Sequence, residues 1–257
     1  MHLEQVAGME WLSADVIRMV LRSESLAVSA KPGQFLNVRC GDSYRAYLRR
    51  PISICDVNRD TGTADIVFQV RGAGTELLAG VKPGGFVDIM GPLGNPFKLV
   101  QPGGSMVVVG GGIGAFPLLF LLRTMPEVRR KTLLGFRNRE AVVLEEEFAL
   151  NSEWLEIATD DGSYGQAGFA TGLLERCLEH EKPDCVYVCG PLPMMKATVG
   201  ICMRYDVPVQ VSMEQRMGCG VGACLVCACK KRDGEGFAYT HVCREGPVFD
   251  GREIVFD

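Results

Sequence analysis

The chain has 257 residues, which is long enough for two domains that each bury a core. Its residues are 47% apolar and 23% charged, a balance typical of a folded globular protein rather than a disordered one. The formal net charge of −4 excludes the basic surface that nucleic-acid binding requires, and it offers no polybasic anchor for a membrane.

The first hundred residues are predicted to form a small antiparallel β-barrel. Short segments rich in Val and Ile alternate with turns such as "KPGQ" and "NRDTG", and short strands at even spacing are typical of such a barrel. The segments are "ADVIRMVLRS", "FLNVRC", "RPISICDV" and "ADIVFQV". We assign residues 1–100 to this first domain. Its opening residues lack the basic start and apolar core of an export signal, so we expect a cytoplasmic protein.

A different pattern begins at "QPGGS". Apolar strands now alternate with amphipathic helices, in the order "MVVVGG", "GAFPLLFLLRTM", "KTLLGF", "VLEEEFAL", "LEIATD", "GLLERCLEH" and "CVYVCG". Strands that are apolar throughout and alternate with helices indicate a doubly wound parallel sheet. Residues 101–210 are therefore predicted to form an α/β domain, and the fold class is β + α/β. No apolar stretch approaches the roughly 20 residues of a membrane span.

The first strand of the α/β domain runs into a glycine-rich turn, "VVVGGGIGAF". Gly110, Gly112 and Gly114 fit the G-x-G-x-x-A pattern, in which bare backbone and a helix N-terminus meet a pyrophosphate. Alone this pattern is weak, but its place after the first βα strand favours nucleotide binding. After the second strand, "GFRNRE" offers arginines for a 2′-phosphate and a glutamate for a ribose hydroxyl, so the choice between NADH and NADPH stays open.

In the barrel half, "YLRRPISI" places Arg49 and Arg50 before a proline. A guanidinium beside a chain that proline holds extended can bind a pyrophosphate through two parallel hydrogen bonds. The alternative is a surface arginine pair at the start of a strand, and this motif alone favours that alternative.

The C-terminal residues 211–257 are too few to bury a core of their own and contain a dense run of cysteines, "GCGVGACLVCACK". Disulfides, a structural zinc and an iron–sulfur cluster are the three interpretations. The total of 11 cysteines is odd, and a reducing cytoplasm disfavours disulfides. Zinc sites usually use two tight cysteine pairs, whereas C-x₄-C-x₂-C…C is the spacing of plant-type 2Fe–2S clusters. The predicted cluster ligands are Cys219, Cys224, Cys227 and Cys243.

Taken together, "RPIS", "VFQVRGAGTELL", the glycine turn and "VCGPLPMM" resemble the ferredoxin-NADP reductase superfamily, in which a flavin barrel precedes a nicotinamide domain. The resemblance implies that FAD contacts Arg50, Pro51, Ile52, Ser53, Val67, Phe68, Gln69, Gly74 and Thr75. Within this set, Arg50 would meet the pyrophosphate and Ser53 the flavin N5, and Ile52 replaces the usual tyrosine. The resemblance places NAD(H) against Gly110, Gly112, Ile113, Gly114, Asp160, Cys189 and Gly190. Cys189 is equally compatible with an inert core thiol.

Over its whole length, including "GCGVGACLVC" and "HVCREGPVFDGREIVF", the chain resembles the electron-transfer subunits of NAD-dependent (type B) dihydroorotate dehydrogenase. Such a subunit would pass electrons from an FMN-containing catalytic partner through a 2Fe–2S cluster and FAD to NAD⁺, in de novo pyrimidine (UMP) biosynthesis. The implied assembly is a heterotetramer of two catalytic and two electron-transfer subunits. Alternatives are the small subunit of a ferredoxin-NADP oxidoreductase (sulfide dehydrogenase type) or of a hydrogenase. A zinc-stabilised binding module is a further alternative, which leaves Arg50, Ser53 and the glycine turn unexplained.

Overall fold

The computed structural model describes residues 2–41 and 44–256. Within these residues the strands form a closed barrel, a seven-stranded sheet and a three-stranded sheet. No helix in the described ranges is long and apolar enough to cross a membrane. The predicted fold class, an antiparallel barrel followed by a parallel α/β domain and a small C-terminal segment, is confirmed.

The barrel closes in the strand order β1-β2-β5-β4-β3-β6, with every neighbouring pair antiparallel. Its strands are β1 (His2–Trp11), β2 (Val16–Arg22), β3 (Phe35–Val38), β4 (Arg50–Asn58), β5 (Thr63–Gln69) and β6 (Phe86–Leu93). Two short helices lie at its ends, α1 (Glu24–Ser29) and α2 (Ala73–Ala79). The Ser23 hydroxyl caps α1 by accepting from the Leu26 amide at 3.4 Å, which satisfies one free donor of the first turn.

Strand β1 was not predicted from the sequence. Val6 is the only one of its described residues that is fully buried, so the segment has no apolar alternation to identify it as a strand. Pairing with β2 on one side and β6 on the other holds it in place. The barrel therefore closes through backbone hydrogen bonds, which a hydrophobic pattern does not reveal.

The α/β domain has a sheet in the order β10-β9-β8-β7-β11-β12, and all of these strands are parallel. The strands are β7 (Ser105–Gly111), β8 (Arg129–Phe136), β9 (Trp154–Thr159), β10 (Gln166–Ala167), β11 (Cys185–Cys189) and β12 (Val209–Ser212). The helices are α3 (Phe116–Thr124), α4 (Glu145–Leu150), α5 (Ala170–His180) and α6 (Leu192–Arg204). Since the chain runs outward from β7 to β10 and then returns to β11 on the other side, the order reverses between β7 and β11. Ligands of open α/β sheets bind at this switch point.

Helices cover both faces of the sheet, because side chains alternate along each strand. Met106 and Val108 of β7 pack with α3 and α4, while Val107 and Val109 pack with α5 and α6. Every residue of β7 and of β11 is buried. This double burial explains why these strands are apolar throughout.

The C-terminal strands are β13 (Ala228–Asp233), β14 (Gly236–His241), β15 (Val248–Asp250) and β16 (Ile254–Val255). Strand β15 pairs antiparallel with β12 and so extends the α/β sheet, while β13, β14 and β16 form the small sheet. Val242, Cys243 and Phe249 share one core cluster with the sheet. The segment that is too small for its own core therefore uses the core of its neighbour. The division at residues 100 and 210 stays a prediction.

A partly buried charge cluster joins the barrel to the α/β domain. Arg18 Nη2 lies 2.5 Å from Glu147 Oε1, and Arg123 Nη2 lies 2.6 Å from Glu147 Oε2. Arg123 also pairs with Asp56, and Arg18 Nε lies 3.6 Å from Asp65 Oδ2. Two arginines of opposite domains thus share one carboxylate. Burial raises the pKa of Asp65 to about 6, although the nearby positive charge of Arg18 acts to lower it.

Replacing Asp65 by Asn is expected to raise the unfolding temperature at pH 7. The contact with Arg18 Nε is too long for a hydrogen bond, so the burial cost of the charge dominates. The folded carboxyl with its pKa of about 6 holds a proton that the unfolded one, at 3.8, releases. Its contribution to stability is therefore complete below about pH 4 and is lost as the pH rises to 6. Asn, which cannot ionise, should gain about 1–3 kcal/mol at pH 7.

Thermal unfolding at pH 4, 5 and 7 measures this effect. The difference between Asp65→Asn and the parent should shrink towards pH 4, where both side chains are neutral. A variant that unfolds at a lower temperature than the parent at pH 7 would show that attraction to Arg18 outweighs burial.

Candidate functional site

A cavity of about 470 Å³ lies where the barrel meets the carboxyl edge of the parallel sheet. The start of β4, the end of β5 and the turn before α2 supply one wall, and the turns after β7 and β12 supply the other. All nine residues predicted to contact FAD line it, namely Arg50, Pro51, Ile52, Ser53, Val67, Phe68, Gln69, Gly74 and Thr75. Folding therefore brings residues 50–53 and 67–75 of the barrel together with residues 113–117 and 212–217.

The two arginines of "RRPIS" have different positions. Arg49 Nη2 lies 2.7 Å from Asp88 Oδ2, and Arg49 Nη1 donates to the Asp88 carbonyl at 2.9 Å. Arg50 lines the cavity, and its Nη1 donates to the Leu48 carbonyl at 2.6 Å. A Cβ atom at Gly74 would come within 2.8 Å of Arg50 Nε. The guanidinium therefore lies directly against the bare backbone at the start of α2.

The turn at Gly72–Thr75 is ordered by one hydroxyl. Thr75 Oγ1 accepts from the Arg71 amide at 2.9 Å and from the Gly72 amide at 3.3 Å. These contacts hold the first turn of α2 beside Arg50. Because the Arg50 guanidinium brings positive charge to this end of the cavity, it suits an anionic group such as a pyrophosphate.

Four polar residues of the cavity were missed by the sequence analysis, namely Arg71, Ser212, Glu214 and Gln215. Ser212 ends β12 and Glu214 follows it. Surrounding protein raises the pKa of the Glu214 carboxyl, and the charge of Arg71 opposes this shift. For Ser212, Glu214 and Gln215 the identifying signal would have been their place at or after the end of a parallel strand, but β12 itself was not predicted.

The glycine turn after β7 contacts the turn after β11. A Cβ atom at Gly114 would come 2.5 Å from Gly190 Cα, so the two backbones touch. Gly112 adopts a φ of +51°, and no atom lies within 4 Å of the place its Cβ would take. The structure thus leaves bare backbone at the switch point, where a dinucleotide can approach. Ile113 of this turn also lines the cavity.

The remaining NAD candidates lie along the same edge of the sheet but outside the cavity lining. Cys189 ends β11, beside Gly190, and is buried. Burial raises the pKa of the Cys189 thiol far above its ordinary value, so the group is a neutral thiol and not a base at neutral pH. Asp160 follows β9 and is exposed, and its amide donates to the Phe136 carbonyl at 3.0 Å. Contact of either residue with NAD stays a prediction.

The four predicted cluster ligands interact as two pairs, Cys219 with Cys224 and Cys227 with Cys243. Among the residues that the structure describes, no three His, Cys, Asp or Glu side chains already stand in a metal-binding arrangement. Burial raises the pKa of Cys243 to about 12, whereas that of Cys219 is lowered to about 6, chiefly by the Val221 amide.

Backbone amides of the loop point at the sulfurs. The Ala223 amide donates to Cys219 Sγ at 3.2 Å, and the Gly222 amide donates to Cys243 Sγ at 3.1 Å. Such N–H···S bonds stabilise the thiolates of an anionic iron–sulfur cluster. Gly220 and Gly222 have φ values of +76° and +79°, which glycine adopts without strain. The loop therefore fits the ligation of a cluster.

Two family models match the chain. Residues 5–97 match the oxidoreductase FAD-binding domain, and residues 214–255 match the iron–sulfur cluster binding domain of dihydroorotate dehydrogenase B. A protein of Desulforamulus reducens is 40% identical over 98% of this chain and 97% of its own length, and one of Bacillus caldolyticus is 42% identical over 97% and 96%. Both are named dihydroorotate dehydrogenase B (NAD(+)), electron transfer subunit. The chain belongs to this family. Its predicted resemblance and its predicted cofactor classes, FAD and iron–sulfur, are thereby confirmed.

Solved structures share the fold of this chain. The chain aligns over its full length with 91% of the NADH-dependent reduced ferredoxin-NADP oxidoreductase studied for flavin-based electron bifurcation, with a TM-score of 0.86 and 26% identity. It also shares the fold of an Amycolatopsis cytochrome P450 reductase, with a TM-score of 0.67 over 79% of this chain and 65% of the other. Which residues of this electron-transfer subunit contact each cofactor stays a prediction.

Proposed function

We propose that this chain carries electrons between an FMN-containing dihydroorotate dehydrogenase catalytic subunit and NAD⁺, through FAD and a 2Fe–2S cluster. The position of the cavity is the observation that supports this proposal. Ile113 of the glycine turn after β7 and Met217, two residues before Cys219, both line it. A flavin exchanges electrons both in pairs with a nicotinamide and singly with a cluster, and the cavity borders the segments predicted to bind each.

The cavity residues would bind and orient FAD. Arg50 and the amides at the start of α2 would hold its pyrophosphate, and Ser53 would hydrogen-bond near N5. Val67, Phe68 and Gln69 would line the ring. Ile52 is buried and contributes an apolar surface where the family's usual residue is a tyrosine.

The glycine turn and Gly190 would bind the nicotinamide nucleotide, with Asp160 at the outer edge. Cys189, as a neutral thiol, would pack against the nicotinamide and take no proton. Ser212 and Glu214 bring polar groups to the cavity. The ligands of the cluster would be Cys219, Cys224, Cys227 and Cys243.

The loop of residues 218–227, here called the cluster loop, presents apolar side chains to solvent, which supports docking of a protein there. Val221, Leu225 and Val226 are 48%, 74% and 56% exposed. Apolar residues gathered on a surface mark interaction sites, and these flank the cysteines. We place the catalytic subunit against this loop, in a heterotetramer of two plus two subunits in the cytoplasm. Residues 1–100 would bind FAD, residues 101–210 would bind NAD(H), and residues 211–257 would bind the cluster.

A second candidate function is the small subunit of a ferredoxin-NADP oxidoreductase. The TM-score of 0.86 to such an enzyme favours it. Both functions use the same cofactor sites and differ in the protein that docks on the cluster loop.

Reconstitution separates the two functions. The isolated chain, loaded with FAD and cluster, should pass electrons from NADH to an artificial acceptor but should not oxidise dihydroorotate. Adding the FMN-containing catalytic subunit should produce NAD⁺-dependent orotate formation. Failure of orotate formation in an intact complex, together with reduction of ferredoxin by the isolated chain, would instead support the second candidate.

Replacing Arg50 by Ala is expected to weaken FAD binding. The change removes a charge-assisted contact to phosphate, which is worth roughly 1.5–3 kcal/mol, or about ten- to a hundredfold in affinity. Fluorescence titration of the flavin-depleted protein with FAD measures the change. Arg39→Ala is the matched control, because Arg39 lies beside Asp88 and not in the cavity lining. Unchanged FAD affinity in Arg50→Ala would remove Arg50 from the pyrophosphate site.

A further inference from the structure

One buried polar side chain links the barrel to the cluster loop. Asn37 lies in β3 and is only 1% exposed. Its Nδ2 donates to the Cys219 carbonyl at 3.4 Å, and its Oδ1 has no hydrogen-bond partner among the described residues. Burial of a polar oxygen without a partner costs about 1–3 kcal/mol. Packing alone therefore does not account for an asparagine in the wall of the barrel.

The cluster loop closes directly over this amide. A Cβ atom at Gly220 would come 2.5 Å from Asn37 Nδ2, and Gly220 adopts a φ of +76°. The loop can reach Asn37 only because residue 220 is a glycine. The neighbouring Val221 and Ala223 amides point at Cys219 Sγ, so Asn37 supports the turn that aims these donors.

Asn37 also lies close to the cavity. Phe35, two residues earlier and on the same face of β3, lines the cavity, and Pro51, another lining residue, is the register partner of Asn37 in β4. Arg49 Nη1 donates to the Asn37 carbonyl at 3.2 Å. One short strand therefore connects the flavin side of the barrel with the backbone of a predicted cluster ligand.

We propose that Asn37 is the positioning residue that fixes the Cys219–Gly220 turn on the barrel and raises the reduction potential of the cluster. This inference rests on the proposed function. Reduction adds one negative charge to a cluster held in part by Cys219. The N–H dipole of Asn37 points towards that ligand's backbone, and the amides that it holds in place point at the sulfur. Donors directed at a cluster favour its reduced form.

The test uses two variants of the full-length chain loaded with FAD and cluster. Asn37→Leu keeps a similar volume and removes the dipole, while Asn37→Asp keeps the shape and adds negative charge. The matched control is Asn95→Leu. Asn95 Nδ2 makes a similar bond at 2.7 Å between the barrel exit and the C-terminal segment, but to the Glu245 carbonyl, which belongs to no predicted ligand. The cluster potential is measured by redox titration followed by electron paramagnetic resonance.

Asn37→Leu should shift the one-electron equilibrium about three- to tenfold towards the oxidised cluster, where tenfold corresponds to 59 mV. Asn37→Asp should shift it further in the same direction, and Asn95→Leu should leave it within twofold. Hydrogen exchange at the Val221 and Ala223 amides should accelerate in Asn37→Leu and not in Asn95→Leu.

Unchanged potentials in both Asn37 variants would overturn the inference, as would an equal shift in Asn95→Leu. If Asn37→Leu does not assemble the cluster, the isosteric Asn37→Asp decides by its potential alone. The measurement needs no catalytic subunit. A failure of orotate formation in the reconstituted complex, with the predicted potential shifts present, would therefore reject the proposed function and leave the role of Asn37 standing.

Discussion

Replacing Cys224 by Ser is expected to remove the cluster and leave most of the FAD in place. Cys224 pairs with Cys219 in the loop, and a serine hydroxyl is a far poorer iron ligand than a thiolate. None of the four predicted cluster ligands lines the cavity predicted to bind FAD, so flavin binding should survive. Iron and acid-labile sulfide should fall to background, and NAD⁺-dependent orotate formation by the reconstituted complex should be abolished.

Reduction of the flavin by NADH should persist in this variant, because hydride transfer needs only the glycine turn after β7 and the barrel. Near-normal orotate formation in a complex shown to be intact would mean that electrons bypass the cluster. The matched control is Cys229→Ser. Cys229 is buried two residues after Cys227, and burial raises its pKa to about 11, so we expect it to keep its proton and the variant to keep the cluster. Equal cluster loss in the two variants would show that the ligand set is wrong.

Replacing Gly114 by Ala is expected to damage the nicotinamide site. The new Cβ would stand 2.5 Å from Gly190 Cα and 2.6 Å from Gly190 N. Because both contacts are to backbone, no side-chain rotation can relieve them, and the two turns must separate. Overpacking of this kind costs roughly 1–3 kcal/mol of stability. A displacement of about 1 Å at a reacting pair can lower the rate roughly a hundredfold, and we expect a loss of this order in stopped-flow flavin reduction by NADH.

Gly200→Ala is the control for Gly114→Ala. Gly200 lies inside α6, and nothing stands within 4 Å of its added Cβ. Alanine is the better helix former by about 0.5–1 kcal/mol, so this variant should unfold at a slightly higher temperature and reduce its flavin normally. Gly114→Ala should keep its FAD, since the barrel wall is unchanged. Normal NADH reduction in Gly114→Ala would show that the two turns are not held in contact.

The central elements of this protein could be predicted from its sequence because each has a local cause. Strands β7 and β11 are buried on both faces, so they are apolar throughout and stand out from their neighbours. The cysteine spacing is the one that a 2Fe–2S cluster requires, because the cluster needs four thiolates close together. One loop and one nearby turn supply them. The glycine turn follows from the need for bare backbone where two loops touch.

Other features arise only when distant parts of the chain meet. Strand β1 is exposed or half-buried everywhere except at Val6 and is held by pairing with β2 and β6, so no apolar period marks it. Arg18 and Glu147 form an ion pair across 129 positions of sequence, and nothing local distinguishes them from surface charges. In the sequence, nothing distinguishes Asn37 from other polar strand residues. Its contact with the Cys219 carbonyl exists only in the folded chain.

The arginine pair shows the same division within two adjacent residues. Both carry the same charge, and the motif alone favours a surface role for each. Only the closed barrel directs Arg49 to Asp88 and Arg50 into the cavity. The local sequence thus predicts which residue types a site will use, because structural propensity and ligand spacing act over a few residues. Strand register and contacts between domains decide which of those side chains faces the site. Both arise from packing across the whole chain.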